Sequence, residues 1–203
     1  MITGAVVLAA GKSERMGQNK LLLRLNGERL IDNILDALAT ANVDEQVIVL
    51  GHNAEKVIEV VKPRLNRVKI TVNRDCEQGM TSSFKTGLHL LLHVEAVFLV
   101  LGDEPIFDPK VLRLMIGQME KSRGEALIVS PIHEGKKGHP LLFHCLLFEE
   151  ILNLKNSLSI RDVVHRHADK LVTVEAPKWT IMDIDTSEDY NRIINLIKTR
   201  QIP

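Results

Sequence analysis

Apolar stretches of strand length recur along the chain and constrain its fold more than any other feature. They show no alternation of apolar and polar residues, which indicates strands buried on both faces, as in a mostly parallel sheet. Helix-period stretches such as Leu30–Leu38 lie between them. The pattern predicts an α/β fold, a three-layer α/β/α sandwich with right-handed crossovers. The predicted strands are Ala5–Ala9, Val47–Leu50, Val68–Val72, Ala96–Leu101, Ala126–Val129 and Leu171–Val174.

Helix-end signals place two further helices. Asp108 followed by Pro109 is typical of a cap residue and a proline at the first helical position, and an apolar stripe follows it. Thr186 and Asp189 have the spacing of a capping box, which predicts a last helix running through about Thr199.

The 203 residues contain no repeat, low-complexity segment or long linker. A chain of this length usually forms one hydrophobic core. We therefore expect a single domain over residues 1–203, in which the less regular segment 131–170 forms a substrate-side insertion or a lid.

Composition excludes several classes of protein. Lys plus Arg and Asp plus Glu both number 26, so no overall charge draws the chain to nucleic acid or to a membrane. Aromatic residues make up only 3%, too few for a base-stacking platform. Residues 1–25 lack a secretory signal, no apolar run approaches the roughly 20 residues that span a bilayer, and Cys76 and Cys145 cannot form a disulfide framework. We expect a cytoplasmic protein without nucleic-acid or membrane partners.

The stretch LAAGKSERMGQNK, residues 8–20, concentrates glycine and basic side chains directly after the first predicted strand. Gly11 and Gly17 permit close backbone approach, so that amide N–H groups can face an anion. Arg15 can fork across two phosphate oxygens, and Lys20 can supply a point charge. The spacing matches neither a Walker loop nor the dinucleotide fingerprint. From these residues alone, the stretch is either a phosphate-binding loop or a solvated glycine loop.

The pattern L-A-A-G-x-S-x-R-M-G-x-x-K closely resembles the signature loop of nucleotidyltransferases with a glycosyltransferase-A-like fold. The resemblance is closest to the molybdenum-cofactor cytidylyltransferase group of the MobA-like family, and it extends from Val6 to about Ile194. It implies that the backbone of the Leu-Ala-Ala-Gly segment faces the base and ribose. It also implies that a basic pair holds the triphosphate and acts in catalysis. The matching residues are Leu8, Ala9, Ala10 and Gly11 for the first role and Arg15 and Lys20 for the second.

Two acidic segments predict a metal site. In VFLVLGDEP, Asp103 follows the end of a predicted buried strand. Its carboxylate can bind Mg²⁺ there, or the residue can simply end the strand in a polar turn. The family resemblance implies that Asp103 binds Mg²⁺ and that Asp185 of MDIDTSEDY completes the site. We expect Asp183 and Asp185 to alternate on a short strand, with Asp183 and Asp189 as strand-end and helix-start acids. Glu104 departs from the family's commoner residue and receives no role.

The segment NRDCEQGMTSSFKTGL leads into a helix predicted to begin near Thr81, with Thr81, Ser82 and Ser83 as candidate cap residues. The same segment resembles the family element that reads the base, which implies that Asn73, Gly79 and Ser83 bind the nucleotide.

Two later segments are assigned to the second substrate. The first segment, KKGHPLLF, contains His139. A single histidine is more often structural than catalytic. The segment matches the family's Gly-His/Asn-Pro element, however, and this resemblance implies that His139 contacts the acceptor. The predicted amphipathic helix in SLSIRDVVHRH places Arg161 at the position of a family arginine, although the usual glycine-rich lead-in is replaced by 156–159.

The resemblance implies a Mg²⁺-dependent nucleotidyltransferase that moves CMP from CTP to the terminal phosphate of molybdopterin, the organic part of the molybdenum cofactor. Leu-Ala-Ala-Gly is typical of cytidylyl-transferring members, whereas guanylyl-transferring relatives usually carry Leu-Ala-Gly-Gly. A guanylyltransferase remains an alternative. A sugar- or alditol-phosphate nucleotidyltransferase is another, but the Gly-His-Pro element and the lack of an added β-helix domain argue against a sugar nucleotidyltransferase. A third hypothesis is a non-catalytic chaperone that delivers cofactor to an apo molybdenum hydroxylase, and such a hydroxylase is also a candidate partner of the enzyme.

Overall fold

The structure is a computed structural model of the protein and describes residues 1–11, 19–51 and 54–199. Strands and helices alternate along most of the chain, and short 3₁₀ turns connect several of them. In chain order the elements are β1 (Thr3–Ala9), β2 (Arg24–Leu25), β3 (Glu28–Arg29), α1 (Leu30–Thr40), β4 (Glu45–Leu50), α2 (Ala54–Val61), β5 (Val68–Val72), α3 (Met80–Leu88), β6 (Ala96–Leu101), α4 (Pro109–Lys121), β7 (Ile128–His133), β8 (Lys136–Lys137), β9 (Leu141–His144), α5 (Phe148–Leu152), α6 (Ile160–Arg166), β10 (Leu171–Glu175) and α7 (Ser187–Lys198).

A mixed, mostly parallel sheet forms the middle layer. In the described part of the chain it has eight strands, in the order β10-β7-β9-β6-β1-β4-β5, with β8 paired to β7. Strand β1 pairs in parallel with both β4 and β6, and β5 continues the parallel half. Strand β9 lies antiparallel between β6 and β7. The prediction of an α/β sandwich is confirmed, and the apolar runs that predicted strands lie in β1, β4, β5, β6, β7 and β10.

Helices cover both faces of this sheet, because successive strand residues point to opposite sides. In β1, Ala5 and Val7 pack into one apolar cluster, together with buried side chains of α1, α2, α4 and α7. Val6 points into a second cluster with α3, α5 and α6. The uninterrupted apolar runs therefore build two cores, one on each side of the sheet.

Two of the three helix starts follow the sequence signals. Asp108 Oδ1 accepts a hydrogen bond from the backbone N–H of Lys110 at 2.8 Å, directly before α4. Thr186 and Asp189 form the expected capping box at the start of α7. The candidate caps of α3 were wrong: the helix begins at Met80 with Gly79 as its N-cap, so Thr81, Ser82 and Ser83 lie inside the first turn.

The segment 131–170 contributes to the central sheet through β9 and to the second apolar cluster through α5. Its role as a substrate-side insertion or lid stays a prediction. Across the described ranges, no helix combines the length and the apolar character that crossing a membrane requires.

Candidate active site

A cavity of about 610 Å³ opens beyond the carboxyl ends of β1 and β6. This is the edge of an open α/β sheet where ligands usually bind, at the point where β1 has parallel neighbours on both sides. Most of the residues predicted to bind nucleotide or metal meet here. The described lining consists of Leu8, Ala9, Ala10, Gly11, Asn19, Lys20, Leu21, Cys76, Gly79, Met80, Ser83, Leu101, Gly102, Asp103 and Asp185.

Lys20 joins the two acidic segments at this cavity. Its Nζ lies 2.7 Å from Oδ1 of Asp185 and 3.6 Å from Oδ2 of Asp103. A short 3₁₀ turn, Lys20–Leu22, holds the backbone of the lysine: Asn19 Oδ1 accepts from Leu21 N at 3.0 Å, and the Leu21 side chain is buried in the core. The structure therefore brings Lys20 and Asp103 to one rim of the cavity, so that a single ligand can contact both.

Asp185 reaches the cavity from a turn, not from a strand. The prediction that Asp183 and Asp185 alternate on a short strand was wrong, because residues 182–186 have no strand partner. A single backbone bond, from Ile184 N to the carbonyl oxygen of Asp103 at 3.0 Å, holds the segment against the end of β6. The backbone N–H of Asp185 then donates to Oδ2 of Asp189 at 3.3 Å, so the cap of α7 also orients the segment.

Two further carboxyl groups, those of Asp183 and Glu104, lie close enough to Asp103 for its charge to act on them. Burial, then the charges of Asp103 and Asp185, raise the pKa of Asp183. Glu104 is 2% exposed, and burial, followed by the charges of Asp103 and Asp183, raises its pKa well above the usual range. Its Oε1 is buried without a hydrogen-bond partner among the described residues. Glu104 thus lies behind the cavity wall and does not point to solvent.

The donor set fits a divalent cation that also binds the substrate's phosphates. Within residues 1–11, 19–51 and 54–199, no three His, Cys, Asp or Glu side chains form a group able to hold a metal ion. Mg²⁺ commonly uses only one or two protein carboxylates and completes its shell with water and phosphate oxygens. Asp103 and Asp185 supply such a pair, and the approach of the Lys20 ammonium to both shows that the pair attracts a cation.

The opposite wall of the cavity is the turn into α3. Gly79 has φ +95°, a conformation that disfavours side chains, and it lines the cavity together with Ser83. Asn73 holds this turn from behind: its Nδ2 donates to the hydroxyls of Ser82 and Ser83, both at 3.0 Å, and its Oδ1 accepts from Asp75 N at 3.0 Å. Asn73 is 5% exposed and does not line the cavity among the described residues.

His139 lies near the carboxyl end of β6, because β9 is antiparallel and begins where β6 ends. Burial lowers the pKa of its imidazole; the charge of Asp103 raises that pKa and the charge of Arg161 lowers it, so both charges act on this ring. In the described chain its Nδ1 is buried without a hydrogen-bond partner. The backbone is tightly fitted here: His139 N donates to Thr180 O at 3.0 Å, and a Cβ on Gly138 would lie only 2.0 Å from that same oxygen.

Arg161 is an exposed residue in the first turn of α6. A capping box between Ser159 and Asp162 fixes the start of that helix. His139 and Arg161 are not part of the described cavity lining, and their contact with a second substrate stays a prediction.

The sequence argument missed some wall residues. Asn19 was not singled out, although its position directly before Lys20 in QNK is the signal that could have identified it. Cys76 and Met80 also line the cavity, but their side chains carry no charge that would have marked them. Arg15 lies outside the described residues.

Comparison with known proteins supports the interpretation of this edge. One curated relative is described as a probable molybdenum cofactor guanylyltransferase from Natranaerobius thermophilus and is 26% identical over 130 residues, 61% of this chain and 58% of the relative. The bifunctional protein GlmU of Listeria monocytogenes is 30% identical over 138 residues, 66% of this chain and 29% of GlmU. The aligned parts therefore cover less than two thirds of these relatives.

Solved structures match over nearly the whole chain. Rv0371c from Mycobacterium tuberculosis H37Rv is 27% identical with a TM-score of 0.78, covering 95% of this chain and 97% of that one. A nucleotidyl transferase from Methanothermobacter is 25% identical with a TM-score of 0.79, covering 98% and 99%. The family model for the MobA-like NTP transferase domain matches residues 5–171, a range that includes most of β1, Lys20 and Asp103. The chain therefore belongs to the MobA-like NTP transferase domain family.

Proposed function

We propose that the protein transfers a nucleotidyl group from a nucleoside triphosphate to the terminal phosphate of a small acceptor and releases pyrophosphate. One observation carries the proposal: Lys20 lies between Asp103 and Asp185 on the wall of a cavity whose floor is the Leu8–Gly11 backbone. A triphosphate in this cavity contacts an ammonium group and a carboxylate pair suited to Mg²⁺ at the same time.

The reaction balances without an added base. An oxygen of the acceptor phosphate attacks the α-phosphorus, the bond from that phosphorus to the bridging oxygen breaks, and pyrophosphate leaves with the bond's electron pair. A phosphate monoester has a second pKa of about 6, so the attacking group is already mostly ionised at neutral pH. The site accordingly needs cations that bring two anions together, since two unit charges ~4 Å apart repel by about 1 kcal/mol even in water.

The residues in and around the cavity have separate parts in this scheme. Lys20 neutralises charge on the triphosphate. Its electrostatic stabilisation is largest in the transition state, where negative charge accumulates. Asp103 and Asp185 hold Mg²⁺, which supplies electrostatic stabilisation of the phosphates when it is bound. Gly79 and Ser83 lie against the base or ribose, and Asn73 keeps their turn in place. Arg15 is proposed to bind the triphosphate with Lys20.

We further propose CTP as the nucleotide. The support is the Leu-Ala-Ala-Gly pattern, in which Ala10 lines the cavity where guanylyl-transferring relatives usually have glycine. The methyl group of Ala10 narrows the space available to a purine. GTP is the main alternative nucleotide, because one curated relative is described as a guanylyltransferase.

Molybdopterin is the proposed acceptor. The support is the description of the same relative as acting on the molybdenum cofactor, together with the family's Gly-His-Pro element around His139. His139 and Arg161 are the residues proposed to contact the acceptor, and the charges of Asp103 and Arg161 both act on the pKa of His139. The product is then molybdopterin cytosine dinucleotide.

The test is an assay of pyrophosphate release with each nucleoside triphosphate against each acceptor class in the presence of Mg²⁺. We expect the highest kcat/KM with CTP and molybdopterin. Release with a sugar or alditol phosphate alone overturns the acceptor assignment in favour of that second candidate function. If no combination releases pyrophosphate, the proposed enzyme activity is wrong.

A chaperone that only delivers cofactor is the alternative from another class. A co-purification experiment with an apo molybdenum hydroxylase, with and without CTP, tests for such a partner. Binding of the hydroxylase combined with absence of turnover favours the chaperone, whereas turnover without the hydroxylase favours the enzyme.

A further inference from the structure

The first turn of α3 carries three consecutive hydroxyl residues, Thr81, Ser82 and Ser83, that contact different parts of the molecule. Ser82 and Ser83 accept hydrogen bonds from Asn73, which fixes the nucleotide side of the turn. Thr81 faces another element: its Oγ1 accepts a hydrogen bond from the backbone N–H of Ile160 at 3.2 Å. The two residues are 79 positions apart in sequence.

Ile160 is the first residue of α6. Backbone N–H groups in the first turn of a helix have no partner inside the helix, so each needs an acceptor from elsewhere. The Thr81 hydroxyl fills this role for Ile160, while Ser159 and Asp162 form the capping box next to it. The residue that follows Ile160 is Arg161.

A second hydrogen bond connects α3 with the loop that precedes α6. Lys85 Nζ, one turn further along α3, donates to the backbone carbonyl of Leu154 in the loop that leads to α6. Phe84 of α3 and Val163 of α6 belong to the same buried apolar cluster. Because these contacts hold the helix pair together, loss of the Thr81 bond should change the start of α6 without separating the two helices.

Thr81 is also close to the nucleotide cavity. Met80 precedes it, Ser83 follows it by two residues, and both line the cavity. We propose that Thr81 is a positioning residue that connects the nucleotide wall with the start of α6, and that it sets the place of Arg161 relative to the bound nucleotide. This inference depends on the proposed function, because it assigns Arg161 to the acceptor.

The test compares Thr81→Val with wild type in the pyrophosphate assay. Valine keeps the shape of threonine but removes the hydroxyl, so the Ile160 N–H loses its acceptor. We expect KM for the acceptor to rise about fivefold, the size of effect typical of one neutral hydrogen bond, while KM for the nucleotide stays within about twofold. Thr81→Ser keeps the hydroxyl and should restore the acceptor KM.

Thr86→Val is the matched control. Thr86 lies on the same helix, and its Oγ1 donates to the carbonyl oxygen of Ser82 at 3.0 Å, so this variant also loses a threonine hydroxyl but no contact to α6. Its acceptor KM should stay at the wild-type value. Hydrogen exchange at the Ile160 amide should become faster in Thr81→Val and stay unchanged in Thr81→Ser.

A double variant tests whether Thr81 acts through Arg161. If it does, Thr81→Val should add no further rise in acceptor KM once Arg161→Ala is present. The inference is overturned if Thr81→Val leaves the acceptor KM unchanged, if it raises both KM values equally, or if Thr81→Ser is as impaired as Thr81→Val. Wild-type protein that releases no pyrophosphate overturns the proposed function itself, an outcome distinct from an active wild type with an unaffected variant.

Discussion

The ammonium group of Lys20 lies 2.7 Å from the carboxylate of Asp185, a residue 165 positions later in the chain. The same ammonium lies 3.6 Å from Asp103 at the end of β6. Three segments distant in sequence thus meet at one point, and each supplies a charge that the proposed reaction would use.

Replacement of Lys20 by alanine should lower turnover by about 10²–10³ at saturating substrates, the loss typical of one removed transition-state donor. The reason is that the variant removes the ammonium group beside Asp103 and Asp185, which is proposed to neutralise charge on the triphosphate. Steady-state kinetics measures this, with Lys69→Ala as control, because Lys69 pairs with Glu45 at a distant exposed site. A Lys20→Ala enzyme with near-wild-type turnover contradicts the proposed role.

Asp103→Asn should abolish most of the activity and leave the protein folded. The amide keeps the shape of the side chain but removes the negative charge that binds Mg²⁺. Chelation of divalent ions should inactivate the wild-type enzyme, and added Mg²⁺ should restore it. Full activity of Asp103→Asn at ordinary Mg²⁺ concentration, with an unchanged circular dichroism spectrum, is the contrary result.

Ala10→Gly should shift base selectivity toward GTP. Removal of the methyl group widens the cavity at the position where guanylyl-transferring relatives have glycine. The measurement is the ratio of kcat/KM for CTP to kcat/KM for GTP, which should fall by about tenfold, within the range typical of one methylene in a pocket. Because the ratio comes from one protein preparation, a loss of overall activity does not affect it. An unchanged ratio would contradict the proposal that Ala10 takes part in base recognition.

Asn73→Ala should weaken nucleotide binding although Asn73 does not line the described cavity. The variant removes the bonds to Ser82, Ser83 and Asp75 and takes the Asn73 donor away from the buried hydroxyl of Ser83, at a cost of about 1–3 kcal/mol in unfolding free energy. Urea unfolding and the nucleotide KM measure the two effects. The exposed Asn66→Ala variant is the control and should change neither.

Glu45 should make the stability of the protein depend on pH. Its hydrogen bond from Lys69, then its bond with His93, lower the pKa of the carboxyl. A lowered pKa means that the stabilisation is present above the usual value of 4.5 and is lost as the pH falls through the folded-state pKa. Because Glu45 and Lys69 pair at the surface, we expect the pair to contribute about 0.2–1 kcal/mol to the free energy of unfolding. Unfolding free energies of wild type and Glu45→Gln should therefore differ at pH 6 and converge near pH 3.

The sheet could be predicted because parallel strands buried on both faces require uninterrupted apolar runs, as in β1 and β6. Strand β9 was not predicted, because its sequence LLFH lacks the β-branched residues that distinguish the predicted strands from short helix segments. The sequence also gave no sign that Glu104 is buried, because burial of a carboxylate depends on distant segments. The wrong strand assignment at Asp183 has the same cause: no partner strand lies beside it.

The reversed direction of β9 divides the edge of the sheet into two parts. Turns that come after parallel strands build the half next to the triphosphate, whereas the hairpin that comes before β9 delivers His139 to the other half. Under the proposed function, evolution or design can therefore lengthen or exchange that one hairpin to accept a different second substrate and leave the nucleotide half untouched.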